Sequence, residues 1–126
     1  MKITDLVKLV NSKLADEMLS YEELKPFLDK AIDDINEDLH AKYPVFSELS
    51  SLVEYNYLPD RYMRNVVATG AAYHFYVMDE EGERVASEYF VDYSRARFNM
   101  VRDFIELVPE EYQNNEGGYI THDWRF

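Results

Sequence analysis

The sequence predicts an all-α fold: a small four-helix domain with a long helical hairpin core, a long connection between the second and third helices, and an extended C-terminal tail. Three observations predict it. Four segments carry apolar residues every three or four positions, the spacing that lines one face of a helix. Pro44, Pro59, Gly82 and Pro109 stand between these segments or at their ends, where breakers belong. The 126 residues, 47% hydrophobic and without cysteine, suffice for a core that needs no disulfide staples.

The first helix is predicted over residues 4–15, with Leu6, Val7, Val10 and Leu14 on one face, Thr4 as N-cap and Asp5 near the positive end of the helix dipole. Ser20 and Glu23 form a capping box that opens the second helix, in which Leu24, Phe27, Leu28, Ala31, Ile32, Ile35 and Leu39 recur at helical spacing. Pro26 lies about one turn inside it and predicts a distorted first turn or a start nearer Lys25. Tyr43-Pro44 is expected to end it. Residues 43–58 read as a long connection, the kind of loop that is usually functional or mobile.

Pro59 opens the third helix, which runs to about Met78 with Tyr62, Val66, Thr69, Tyr73 and Tyr76 or Val77 along one stripe. Gly70, set among Ala68, Ala71 and Ala72, costs helix propensity and so predicts a close helix crossing. After the acidic turn Asp79-Glu80-Glu81-Gly82, a fourth helix carries Val85, Tyr89, Tyr93, Ala96, Met100, Phe104 and Leu107 and is expected to end at Pro109, antiparallel to the third. Residues 1–108 thus form the helical domain, and 109–126 a tail that holds Tyr119, Ile120, Trp124, Arg125 and Phe126. A solvated tail would be poor in such residues, so a partner is expected to order it.

The formal charge is -12, from 13 Lys and Arg against 25 Asp and Glu. That balance opposes gripping a nucleic-acid backbone by counterion release. Aromatic residues make up 15%, with eleven tyrosines, a type common where a surface is both soluble and partner-binding. The longest uncharged run, residues 65–78, is too short and polar to span a bilayer, and the N-terminus has no signal-peptide stretch, which predicts a soluble, non-secreted protein.

Constellations for chemistry are absent. His40, His74 and His122 lack metal-ligand spacing, and neither a phosphate loop nor a nucleophile elbow occurs. Asp33 with Glu37, and Asp34 with Asp38, recur at i, i+4, which reads as a solvated acidic face ahead of a cation site. Arg95, Arg97 and Arg102 read as partners for Asp92, Asp103 or Glu106 on their own helix. The expectation is a non-enzyme without cofactor.

The order of parts resembles a family. An amphipathic helix, a capped Ser-x-x-Glu-Leu helix continuing as Ala31-Ile32-x-x-Ile35-Asn36, a proline-containing connection and Leu58-Pro59-x-x-Tyr62 opening a small-residue, Tyr-rich helix resemble the head-to-tail adaptors, or connectors, of long-tailed bacteriophages. The helix Glu83 to Leu107, with Tyr89, Phe90, Phe98 and Met100, looks like that family's second core helix.

The resemblance covers residues 3–107 and implies a homo-oligomeric ring, typically of twelve, at the head-tail interface of the virion, made in the host cytoplasm. Its implied partners are the portal protein and a stopper or tail-completion protein, with DNA passing through the lumen without specific binding. Position and composition assign portal docking to Tyr119, Ile120, Trp124, Arg125 and Phe126. Phe46, Val53, Tyr55 and Tyr57 are assigned to a loop facing the stopper, and Asp33, Asp34, Glu37 and Asp38 to an acidic face towards lumen or solvent. An alternative class is an acidic helical DNA mimic that inhibits a nucleic-acid enzyme, with residues 29–38 imitating phosphates.

Overall fold

The computed structural model describes residues 1–14, 18–79 and 82–103. Among these residues it is all-α, with four helices: α1 (Ile3–Lys13), α2 (Tyr21–Leu39), α3 and α4 (Glu83–Arg102). Helix α3 is continuous but composite, an α turn Asp60–Tyr62 leading into a π-helix Met63–Ala68 and then an α-helix Thr69–Met78. Sequence periodicity gives no sign of the π segment. Glu80, Glu81, Phe104, Leu107, Pro109 and the tail residues Tyr119, Ile120, Trp124, Arg125 and Phe126 lie outside the described residues.

Helix α3 is the centre of the bundle, packed against α1, α2 and α4. Met63, Val66, Val67, Ala68, Ala71 and Ala72 are fully buried on it, so more than one stripe is covered. The predicted stripe is inside at Tyr62, Val66, Thr69 and Tyr76, while Val77 turns outward. The close crossing at Gly70 is present, and Tyr93 of α4 fills it: a Cβ at Gly70 would come within 2.5 Å of the Tyr93 ring. A ring, and not a second backbone, therefore occupies the space that glycine leaves.

The helix ends follow local hydrogen bonding. The Ser20–Glu23 capping box forms in both directions, and α2 starts at Tyr21 with Pro26 inside it, so the expected start near Lys25 is corrected. A capped first turn outweighs the single donor that proline removes. At the other end α2 stops at Leu39, ahead of Tyr43-Pro44, because His40 adopts the left-handed conformation with φ 51° and Ala41 N–H donates to the Asn36 carbonyl at 2.9 Å. Thr4 is not the N-cap of α1. Lys2 holds that place, and the first free amide, of Ile3, is satisfied by the Val53 carbonyl at 2.8 Å. Helix α4 ends at Arg102, short of Pro109, where Asp103 N–H bonds the Met100 carbonyl and the Asp103 carboxylate accepts the Tyr62 hydroxyl at 2.8 Å.

Two asparagines tie the chain back onto the helix it has just left. Asn11 of α1 donates to the Leu19 carbonyl at 2.8 Å and accepts Leu19 N–H at 2.9 Å. Asn36 of α2 does the same to Tyr43, at 3.0 and 2.7 Å. Each clamp satisfies both backbone groups of one residue, so the chain is held where regular structure ends.

Candidate functional site

The connection 43–58 is part of the core. Phe46 and Tyr55 are fully buried and stacked, with ring centroids 4.5 Å apart, and the Tyr55 hydroxyl donates to the Pro44 carbonyl at 2.7 Å. Both were expected on a stopper-facing surface, and burial corrects that expectation. Tyr57 is half-buried against Tyr55, and only Val53 of the four is exposed, at 73%. A short N-terminal bridge fixes the loop's far side: Lys2 pairs antiparallel with Glu54, and Tyr55 N–H donates to the Met1 carbonyl at 2.9 Å. Asp29 of α2 receives both the amide and the hydroxyl of Ser47.

The acidic face of α2 divides in two. Asp33 and Glu37 are exposed, whereas Asp34 and Asp38, one helical step round, turn towards α3 and α4. The expectation of a single outward face is corrected for the second pair. Asp34 Oδ2 accepts from His74 Nε2 of α3 at 2.8 Å and from the Tyr93 hydroxyl of α4 at 2.7 Å. Asp38 receives Arg97 of α4 through two bonds, at 2.6 and 2.7 Å, in the planar fork geometry that suits a carboxylate. Arg97 also lies 3.9 Å from Asp34 and over the Tyr93 ring at 5.2 Å. Three helices are thus joined by one polar cluster. The expected pairing of Arg97 along its own helix gives way to this cross-helix pairing.

The electrostatics of the cluster follow from that geometry. Burial raises the Asp34 pKa, but hydrogen bonds from His74 and Tyr93 and the charge of Arg97 outweigh it, so the carboxyl sits below its ordinary range. Burial first, then the Asp34 charge, pushes the Tyr93 hydroxyl far above the ordinary phenol value. The bond to Asp38 raises Arg97 further. Asp33 shifts oppositely, raised by burial and then by the charges of Asp29, Asp34 and Glu48. A carboxylate with an imidazole and a phenol has the ingredients of proton transfer, but none of three surface clefts, around Asn65, Asp5 and Met18, is lined by Asp34, His74 or Tyr93. The cluster joins helices and leaves a substrate no approach through those clefts. Its one legible signal was spacing, since Asp34/Asp38 and Tyr93/Arg97 are both i, i+4 pairs able to meet across two helices.

Among the described residues, exposed large apolar side chains lie on α4 and beside α1, besides Val53 in the connection and Val77 and Met78 at the end of α3. On α4, Phe90 and Val91 are each 53% exposed along one edge of the helix beside its buried face, and Phe98, with the Arg102 guanidinium 5.9 Å over its ring, is 39% exposed. Tyr73 of α3 extends this patch, its ring 5.8 Å from Phe90. The second surface is a cleft of about 580 Å³ between α1 and the start of α2, lined by Val7, Asn11, Met18 and Leu19, with Met18 87% exposed. Among the described residues no group of three His, Asp or Glu could hold a metal, and no helix is long and apolar enough to cross a membrane. Compared with protein-family models, curated proteins and solved structures, the chain matches none.

Proposed function

We propose that this chain is a structural connector of a tailed bacteriophage, assembling as a homo-oligomeric ring between portal and stopper or tail and acting as a conduit for DNA. The observation that carries the reading is the pair of unlike apolar surfaces on different elements, the α4 edge at Phe90 and Val91 and the α1–α2 cleft at Met18. A ring closes head to tail, so each subunit must offer two different patches, whereas a two-fold dimer needs only one. The order of helices and the Leu58-Pro59-x-x-Tyr62 start that resemble the adaptor family supply the phage context and the twelvefold expectation.

Charge supports the same reading. A net charge of -12, with Asp33 and Glu37 exposed, lets a duplex slide past without being held. The DNA-mimic alternative needs a ladder of outward carboxylates along α2, and the inward ties of Asp34 and Asp38 remove two of the five between residues 29 and 38. The tail from Tyr119 to Phe126 keeps its assignment to the portal within this proposal.

Native mass spectrometry of the chain alone, then with portal rings, tests the reading. A ring on portal that Val91→Asp and Met18→Asp each abolish is the expected outcome. A chain that stays monomeric with portal present, or a virion reconstruction placing it away from the head-tail interface, overturns it.

A further inference from the structure

The α1–α2 cleft and the outer line of α4 carry charges in matching order. The cleft has an apolar floor of Val7, Met18 and Leu19 between two walls of opposite sign, Lys8 on α1 and Glu23 on α2. Lys8, Met18 and Glu23 are all exposed. Glu23 is fixed in place by the capping box, where its Oε1 accepts the Ser20 N–H at 3.1 Å, and Met18 is unbranched, a side chain that re-packs around what enters. On α4, Glu88, Val91 and Arg95 stand three and four residues apart, which sets them on one line of the helix, and all three are exposed. That line is an apolar side chain with an acid one turn before it and a base one turn after it.

The two patterns agree in scale as well as in sign. Glu88 and Arg95 are separated by about 10 Å along the helix axis. Helices α1 and α2 pack together, and packed helices lie about 8–10 Å apart, so the walls of the cleft between them stand at a similar separation. Seated one way, α4 brings Glu88 to Lys8 and Arg95 to Glu23. Turned end for end, it opposes Glu88 to Glu23 and Arg95 to Lys8, two like-charge contacts, so charge order selects a single direction. Within one chain the two surfaces do not meet, because no α4 residue lines the cleft.

We infer that the occupant of the α1–α2 cleft is α4 of a second copy of this chain, with Val91 over Met18, Glu88 paired to Lys8 and Arg95 paired to Glu23. Arg95 also lines the cleft at Asn65 with Asp92, and Glu23 of the other copy adds a second carboxylate to it. The halves of the contact are unlike, so each copy keeps one cleft and one α4 line for further copies and the contact propagates head to tail. The inference rests on the connector reading for the demand that two unlike surfaces meet, and not for its phage context.

The chain has no cysteine, so introduced ones report the contact without background. In the test, 15N-labelled Val91→Cys is mixed with unlabelled Met18→Cys, oxidised with copper phenanthroline, and the disulfide dimers are resolved by mass. The expected result is a mixed-label dimer in at least about fivefold excess over that formed when Val53→Cys, at another exposed apolar position, replaces Val91→Cys. Adding Glu88→Lys to the labelled chain should lower that yield about threefold, and Lys8→Glu in the unlabelled chain should restore it. Circular dichroism confirms that each variant is folded. A statistical mixture of the three label combinations overturns the inference, as does an excess of the fully labelled dimer, which marks a two-fold α4 contact. Glu88→Lys without effect, or without rescue, also overturns it. A ring on portal accompanied by the statistical mixture overturns this pairing alone, and the specific dimer in a chain that never joins portal overturns the connector reading alone.

Discussion

The connection 43–58 and the outer edge of α4 carry similar aromatic residues with opposite fates. In the connection, which has no helical period, Phe46 and Tyr55 turn fully inward and stack. On α4, where the period is clear, Phe90 and Phe98 stay half exposed. The difference teaches that regularity of secondary structure does not decide burial. The loop is pinned by Asn36, by Asp29 and by the N-terminal bridge, and pinned backbone can aim its side chains at the core. Helix α4 has one face to spend on the bundle, and Ala86, Tyr93, Met100 and Val101 take it.

The largest expected effect sharpens that contrast directly. Replacing Phe46 or Tyr55 with Ala should cost about 3–5 kcal/mol, the range for emptying a buried aromatic site. Phe90→Ala and Phe98→Ala should each cost less, about 1–2 kcal/mol in the isolated chain, because only about half of each ring is buried. Urea denaturation of the four variants measures this. Similar losses in both regions would mean that the α4 edge is covered within the domain, and the two-patch argument would fail with it.

A second effect, of about 2 kcal/mol, is expected at the cluster that holds the inner face of α4 in place. Asp34→Asn removes a charged acceptor from Tyr93 and His74. The same variant should alter pH dependence, with a definite sign. The Asp34 carboxyl lies below its ordinary range when folded, so on acidification the unfolded chain takes up its proton first. Stability from this group is complete above the ordinary carboxylate range, near pH 4, and is lost as pH falls through the lower folded value. Thermal melts between pH 5 and pH 2 should show a shallower acid-side decline for Asp34→Asn. Parallel curves would mean that Asp34 is not the group that anchors α4.

Much of the fold was legible because it rests on local rules: the Ser20–Glu23 box, the four apolar periods and the Gly70 crossing need only neighbours in sequence or one helix partner. What was not legible depends on long-range geometry. Nothing near Phe46 announces that Asn36 will clamp Tyr43 or that Met1 will pair with Tyr55, and those contacts turn the loop inward. The division of the α2 carboxylates was half visible, since i, i+4 spacing separates Asp33/Glu37 from Asp34/Asp38, but only the position of α4 decides which pair faces in. Lys13, Arg64 and Arg95 are brought together by three elements far apart in the chain, one of them a π-helix that leaves no periodic mark.

Gly70→Ala separates the two faces of α4 in another way. An added Cβ overlaps the Tyr93 ring, and overpacking of this kind costs about 1–3 kcal/mol, while alanine regains about 1 kcal/mol of helix propensity. A net loss of about 1 kcal/mol is expected, and Gly70→Leu should lose more. Displacement of Tyr93 would also loosen its bond to Asp34, so Gly70→Ala and Tyr93→Phe should be less than additive in a double-mutant cycle. Strict additivity would indicate that the crossing has other slack.

The smallest effect concerns two tyrosines of the inward cluster that differ in one hydrogen bond. Tyr55 is stacked on Phe46 and its hydroxyl donates to the Pro44 carbonyl, whereas Tyr21 meets Phe46 edge-on at 6.4 Å and its buried hydroxyl has no partner among the described residues. Removing a satisfied hydroxyl forfeits its bond and leaves an acceptor short, which costs about 1 kcal/mol. Removing an unsatisfied one relieves a desolvation penalty and keeps the ring's apolar contacts. Burial also raises the Tyr21 pKa, ahead of a lowering contribution from Lys25, whose ammonium lies 4.9 Å from the ring centroid. Tyr55→Phe should therefore destabilise by about 1 kcal/mol, and Tyr21→Phe should be neutral or slightly stabilising. Differential scanning calorimetry resolves a difference of that size between the two variants. Equal losses would show that the Tyr21 hydroxyl is satisfied in solution, and that the apolar character assigned to this part of the loop cluster is wrong.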